Sequence, residues 1–277
     1  MKFGIHLPQF GRAGTPESLR QAAVQAEDVG YDDIWVSDHL AIPVDAPYPP
    51  TAYIQEPIVT LTWAAAATSR VGLGTSILVL PMRHPLVLAK MLASLDLMSE
   101  GRLIVGAAAG WLEAEFDALG VPFRERGARA NESIRLLRAC WTEDPVRQDG
   151  DRIAAKLDGM RTLPQPNRAI PIWVGGNSDA AIDRAVTLGD GWHGSRQTPE
   201  GLGPTLKRIR AARPEEDFAI SLRVHYDAFE DDADEIKRQI AAYRDLGVQH
   251  LMFQPRQRLA DDWMRSAEEL LRIATDV

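Results

Sequence analysis

Apolar positions along this chain fall into two alternating rhythms. Short, nearly continuous apolar runs are followed by longer segments in which apolar residues recur every three or four positions. The first rhythm suits parallel strands covered on both faces, and the second suits helices with one buried stripe. The candidate strands are residues 2–8, 33–37, 71–79, 102–108, 170–174, 191–194, 218–226 and 248–254. Three of the helical segments end on a glycine just before a strand, at Val29-Gly30, Leu188-Gly189 and Leu246-Gly247. Glycine there suits the left-handed position that closes a helix. The first helix shows its start as well: Thr15 can cap it, Pro16 suits the first turn, and Leu19, Ala22, Ala23 and Ala26 form its buried stripe. Ile236, Ile240 and Tyr243 repeat the pattern near the C-terminal end.

About eight strands alternating with helices predict an α/β fold, a single (β/α)8 TIM barrel over residues 1–277, rather than an open doubly wound sheet. No change of composition or Ser/Gly-rich linker divides the chain. Two segments read as insertions, the proline-rich residues 41–57 after the second strand and residues 112–167 after the fourth. Loops at those places build the rim of a barrel's active site.

Composition narrows the partners. Apolar residues at 45% and charged residues at 25% describe a soluble domain, and a net charge of -8 argues against nucleic acid or an anionic membrane surface. No apolar run approaches the roughly 18 residues of a membrane span. Cys140 is the one cysteine, so an intrachain disulfide and a cysteine-rich metal site are excluded. With no signal-like apolar run at the start, the expected location is the cytoplasm.

Chemistry-bearing residues gather at the strand ends. Asp38-His39 follows the second strand, where a histidine can move a proton and a carboxylate can orient a bound ring. Gly175-Gly176-Asn177-Ser178 opens a helix after the fifth strand, a place suited to a phosphate, though an ordinary turn and cap would read the same. Gly72 and Gly74 within the third strand suggest a bulge or a close approach. Small residues from Gly106 to Gly110 leave room for a flat ring, with Trp111 as a wall, or simply fill a narrow barrel layer. Tyr48, Tyr53 and Trp63 could line a less polar pocket with it. His6, His84, His193, His225 and His250 show no metal-ligand spacing and read as core or rim residues, His6 facing into the barrel; no metal centre is expected. An isomerase or aldolase on this fold would need a Schiff-base lysine. None of Lys2, Lys90, Lys156, Lys207 and Lys237 sits clearly within a strand near its C-terminal end.

Together these stretches resemble the luciferase-like monooxygenases, in particular their coenzyme F420-dependent branch. The likeness runs along nearly the whole chain, through Phe3-Gly4-Ile5-His6-Leu7-Pro8-Gln9-Phe10, Trp35-Val36-Ser37-Asp38-His39, Gly74-Thr75-Ser76-Ile77-Leu78-Val79, Gly101-Arg102, Gly110-Trp111, Glu115-Phe116, Gly175-Gly176-Asn177-Ser178 and Asp190-Gly191-Trp192. The resemblance implies a small-molecule oxidoreductase using F420, with His39 catalytic and Asp38, Ser76, Ile77, Gly110, Gly175, Gly176 and Asn177 against the cofactor. It also implies a cis peptide between Ser76 and Ile77, a substrate pocket with Trp111 and His6, and a homodimer. An FMN-dependent two-component monooxygenase and a non-catalytic flavin carrier are the alternatives. The family's sugar-phosphate dehydrogenases carry an acidic residue where Trp111 stands and an asparagine near Ala114; this chain departs at both, which speaks against glucose 6-phosphate as substrate.

Overall fold

The computed structural model describes residues 1–49 and 51–277. Nine strands form one parallel sheet: β1 (Lys2–His6), β2 (Asp33–Val36), β3 (Gly72–Thr75), β4 (Leu78–Val79), β5 (Leu103–Ala108), β6 (Ile172–Gly175), β7 (Gly191–Ser195), β8 (Ala219–Tyr226) and β9 (His250–Pro255). β1 pairs with β2 on one side and β9 on the other, and both β3 and β4 pair with β5, so the sheet closes on itself. β3 and β4 are two pieces of the third stave, parted at Ser76 and Ile77, whose peptide bond is cis. The result is an eight-staved (β/α)8 barrel.

The helices covering it are α1 (Pro16–Val29), α2 (Pro57–Ala65), α3 (Pro85–Met98), α5 (Arg126–Thr142), α6 (Asp179–Leu188), α7 (Pro199–Ala212), α8 (Ala233–Asp245) and α9 (Ala260–Thr275); the short α4 (Glu113–Ala118) lies at the mouth. The segment 112–167 is therefore only partly an insertion. Its long helix α5 packs against α3 and α6 as the fourth stave's own covering helix, leaving α4 and the irregular stretch after α5 as the extra parts. Thr15 caps α1, accepting from the Ser18 amide at 3.1 Å. Gly30 and Gly247 take the expected left-handed conformation, but Gly189 does not (φ -92°). A side chain at Gly189 would press on the Ala185 carbonyl at 2.9 Å and on Val174 at 3.0 Å, so the requirement there is room.

Period-two alternation sorts β2. Ile34 and Val36 face the helices and join the main apolar core, whereas Trp35 turns inward and stacks on His193 (5.2 Å between centroids) and Trp173 (5.5 Å). The barrel interior is thus filled by flat aromatic and imidazole rings, and the glycines beside them supply the space. A Cβ on Gly74 would lie 2.3 Å from the Trp35 indole, and one on Gly106 would lie 1.8 Å from the Thr75 carbonyl.

Gly106→Ala must displace that carbonyl and should cost about 3 kcal/mol of stability in urea denaturation. Gly201→Ala, in the exposed first turn of α7 with its nearest neighbour at 3.8 Å, should be neutral or stabilising by up to about 0.5 kcal/mol.

Candidate active site

Two adjoining cavities open at the C-terminal ends of the strands and share Tyr48, Ser76, Ile77, Gly110, Trp111 and Arg223 as walls. The larger is about 750 Å³ and reaches the start of α6; the smaller is about 100 Å³ and holds Asp38, His39 and Glu115. Gly175 lets β6 approach the third stave closely, since a Cβ on it would meet Ile77 at 2.6 Å.

Asp38 and His39 serve different partners. The Asp38 carboxylate is buried; it accepts from both Nη atoms of Arg83, at 2.5 and 2.9 Å, and from the Val79 amide at 2.8 Å. Burial pushes its pKa above the ordinary carboxylate range, and the guanidinium restrains the rise. Arg83 also holds Glu56, at 2.9 Å, so the trio ties the loop after β2 to the third stave. His39 instead places Nδ1 2.9 Å from Glu115 Oε2, while Glu115 Oε1 accepts from the amides of Leu40 and Ala41. Burial raises the Glu115 pKa, but these hydrogen bonds outweigh it and hold the carboxyl below its usual range. An ionised Glu115 fixes the proton of neutral His39 on Nδ1 and leaves Nε2 as the basic nitrogen. Trp111 meets His39 edge-on at 5.9 Å.

The large cavity ends on the N-terminus of α6, capped by Ser178 through the Ala181 amide at 3.3 Å. Gly176, Ser178, Ala180 and Ala181 line it together with Arg124, Arg126 and Arg184. Arg184 is buried and, among the described residues, donates only to neutral oxygens, Asn131 Oδ1 at 2.5 Å and the Gly127 carbonyl at 3.1 Å; burial lowers its pKa. First-turn amides, the helix dipole and three guanidiniums make an oxyanion site, and its geometry suits a phosphate.

Some expected residues lie elsewhere. His6 lines neither cavity: it is buried, stacks on Phe10, and engages the Leu7 carbonyl and Ser37 Oγ at 2.7 and 2.8 Å. Burial first, then Arg223, lowers its pKa well below the ordinary histidine value. Asn177 bonds the Ser195 backbone rather than facing the cavity, and Trp63 and Tyr53 lie outside it. Sequence reasoning missed Arg83, Arg124, Arg126, Arg184 and Arg223. A charged residue inside the apolar run of β8 was the available signal for Arg223; the others come from distant segments and left none.

Beneath the cavities runs an unbroken row of buried hydrogen bonds. Ser76 Oγ meets His193 Nε2 at 2.9 Å, His193 Nδ1 meets Ser221 Oγ at 2.7 Å, Ser221 Oγ meets His250 Nδ1 at 2.6 Å, and His250 Nε2 meets Asp33 Oδ1 at 2.9 Å. Trp35 Nε1 also donates to Asp33. Burial raises the Asp33 pKa, yet His250, Trp35 and Lys2 together bring it below its usual value, so the row rests on an ionised carboxylate.

A closed barrel with an arginine-lined helix terminus and a carboxylate-oriented histidine at its mouth defines a (β/α)8-barrel protein with a binding cleft at the C-terminal ends of its strands. The chain belongs to the luciferase-like monooxygenase family, which it matches over residues 1–273. It is similar to F420-dependent glucose-6-phosphate dehydrogenases of Kineococcus radiotolerans (37% identity, 64% of this chain and 52% of that protein) and Amycolatopsis mediterranei (33%, 79% and 67%). The first match thus spans about half the relative's length. Among solved structures it resembles an F420-dependent secondary alcohol dehydrogenase in complex with an F420-acetone adduct, with a TM-score of 0.84, 20% identity and 99% and 98% of the two chains covered.

Because folding depresses the Asp33 pKa, its contribution to stability is present above the unfolded carboxyl pKa near 3.8 and is lost as pH falls through the folded value. Asp33→Asn should therefore cost about 3 kcal/mol at pH 7. In urea denaturation the gap from the wild type should narrow below pH 4, where the wild-type carboxyl itself protonates; a gap that stays constant would show that charge is not what Asp33 contributes.

Proposed function

We propose that this protein is an F420-dependent oxidoreductase that exchanges a hydride with a small organic substrate. The observation that carries this reading is the joining, in one cleft, of an oxyanion site at α6 to the oriented His39–Glu115 pair. The relatives named for F420 support the choice of cofactor. Bound F420 supplies the two-electron carrier.

The residues present fit that group. Gly176 and the first turn of α6, with Arg124, Arg126 and Arg184, would hold its phosphate. Ser76, Ile77, Gly110 and Gly175 would bound its ring, with Asp38 and Arg83 keeping the loop behind β4 in place. Asn177 supports the site by tying the start of α6 to the end of β7. In the direction of substrate oxidation, His39 Nε2 takes the hydroxyl proton of an alcohol, and Glu115 stabilises the imidazolium that results. In reduction the same nitrogen returns it. Trp111 and Tyr48 wall off water on the outer side. A cytoplasmic homodimer belongs to the same reading and rests on the family resemblance.

Titration of the purified protein with F420, followed by tryptophan quenching, should give micromolar or tighter binding and weaker binding of FMN. Arg124→Ala combined with Arg126→Ala should weaken F420 binding about 10- to 100-fold. Preference for FMN would move the protein to oxygen chemistry, and binding of neither would end the redox assignment. Glu115→Gln, whose amide would donate to His39 Nδ1 and move the proton to Nε2, should lower kcat about 100- to 1,000-fold with little change in F420 affinity.

A further inference from the structure

The large cavity contains more positive charge than one phosphate needs. Among the described residues five arginines line it, Arg124, Arg126, Arg184, Arg196 and Arg223, and no aspartate or glutamate does, although the protein's net charge is -8. Three of the five surround the start of α6. The other two belong to the next two staves: Arg196 follows β7 directly, and Arg223 projects from within β8.

Arg223 has no carboxylate partner among the described residues. Its Nε and Nη2 donate to Gln254 Oε1, and Nη1 donates to the Ser76 carbonyl at 2.8 Å and to Ser37 Oγ at 3.3 Å. Every acceptor is neutral, and one Nη2 hydrogen has none. The guanidinium is half-buried and opens on the cavity. Burial brings its pKa down to about 10, opposed by Tyr48 and aided by Arg196, so it is charged at neutral pH. Arg196 adopts a left-handed backbone (φ 53°), uncommon for a residue with a side chain, and its guanidinium lies 5.5 Å from the centre of the Tyr48 ring. His225 completes the group; burial, then Arg223, Arg196 and Arg256, holds its pKa down to about 4, so it offers one N–H and no charge.

A half-buried cation whose acceptors are all neutral, and which opens on a cavity, is set to take a counter-charge from a ligand. We propose that Arg223 and Arg196 form a second anion subsite that takes the carboxylate of the organic substrate, an inference that rests on the F420 reading for the occupant of the α6 end. The donor set distinguishes the anion. Phosphate at α6 is offered a helix terminus and several backbone amides. Here the donors are side chains alone, one fixed planar guanidinium and one exposed one, which matches the two oxygens of a carboxylate. Tyr48 and Trp111 give the rest of the substrate an apolar wall.

The test uses the F420-loaded protein and hexanoate as the probe, with hexanamide and inorganic phosphate as comparisons, read by fluorescence of the bound deazaflavin and of tryptophan. Hexanoate should bind saturably, hexanamide at least about 10-fold more weakly, and Arg223→Gln should raise the hexanoate Kd about 30-fold while F420 affinity stays within about threefold. Arg196→Gln, at an exposed position, should raise it about fivefold and serves if the Arg223 variant does not fold. Equal binding of hexanamide, tighter binding of inorganic phosphate at this subsite, or loss of F420 affinity matching the loss of hexanoate would each overturn the proposal, the last because the arginine would then belong to the cofactor. If the wild type binds no F420 yet binds hexanoate in an Arg223-dependent way, the subsite stands and the F420 reading fails.

Discussion

One buried carboxylate sets the hydrogen bonding of the barrel's interior. Asp33 lies at the start of β2 and accepts from both Trp35 and His250. With one proton on His250, that proton must sit on Nε2. Nδ1 then accepts from Ser221, Ser221 accepts from His193, and His193 Nε2 accepts from Ser76. Ser76 therefore presents lone pairs, not its hydrogen, to the cavity. A second proton on His250 would reverse every donor in the row and free the Ser76 hydrogen. Aliphatic side chains could fill the same volume but could not transmit a polarity from the base of the barrel to the floor of the site.

The site also depends on a contrast of charge. A protein with a net charge of -8 repels anions at long range, yet its larger cavity gathers five arginines and, among the described residues, has no acid in its walls. Low-dielectric walls concentrate the field of those arginines where a ligand enters, so recognition is local and weakly screened once the ligand is seated. The carboxylates near the cleft are each already engaged: Asp38 by Arg83, Glu115 by His39 and two amides. None is left to compete for the guanidiniums that face the cavity.

The fold was largely legible in the sequence because its signals are local. Continuous apolar runs marked the staves to within two or three residues, and Thr15, Gly30 and Gly247 marked helix ends through short-range stereochemistry. Gly74 read as a bulge or a close approach, and what approaches it is the Trp35 indole. The parting of the third stave at Ser76 and Ile77 was accessible through family resemblance, not through its apolar pattern. The placing of His6 failed for a different reason: a histidine at a strand end can point to a cavity or satisfy itself, and only the positions of Leu7, Ser37 and Phe10 in space decide. Apart from Arg223, marked by its place in the apolar run of β8, the arginines of the cleft were illegible because their segments meet only once the barrel closes.

The dipeptide Asp38-His39 shows most clearly what spacing can and cannot tell. Read along the chain, a carboxylate beside a histidine suggests one catalytic pair. In space, however, the two side chains part: Asp38 turns to Arg83 and the amide of Val79 in β4, and His39 turns toward α4, where Glu115 Oε2 lies 2.9 Å from Nδ1. The carboxylate that can fix the tautomer of His39 is thus 76 residues away in sequence, and the adjacent one is committed to a guanidinium. Neutralising Asp38 would release Arg83 and loosen the loop that carries His39, whereas neutralising Glu115 would leave the loop's frame intact and change which nitrogen holds the proton. The two acids are therefore separable by experiment: one governs where the histidine stands, and the other governs what it can do there.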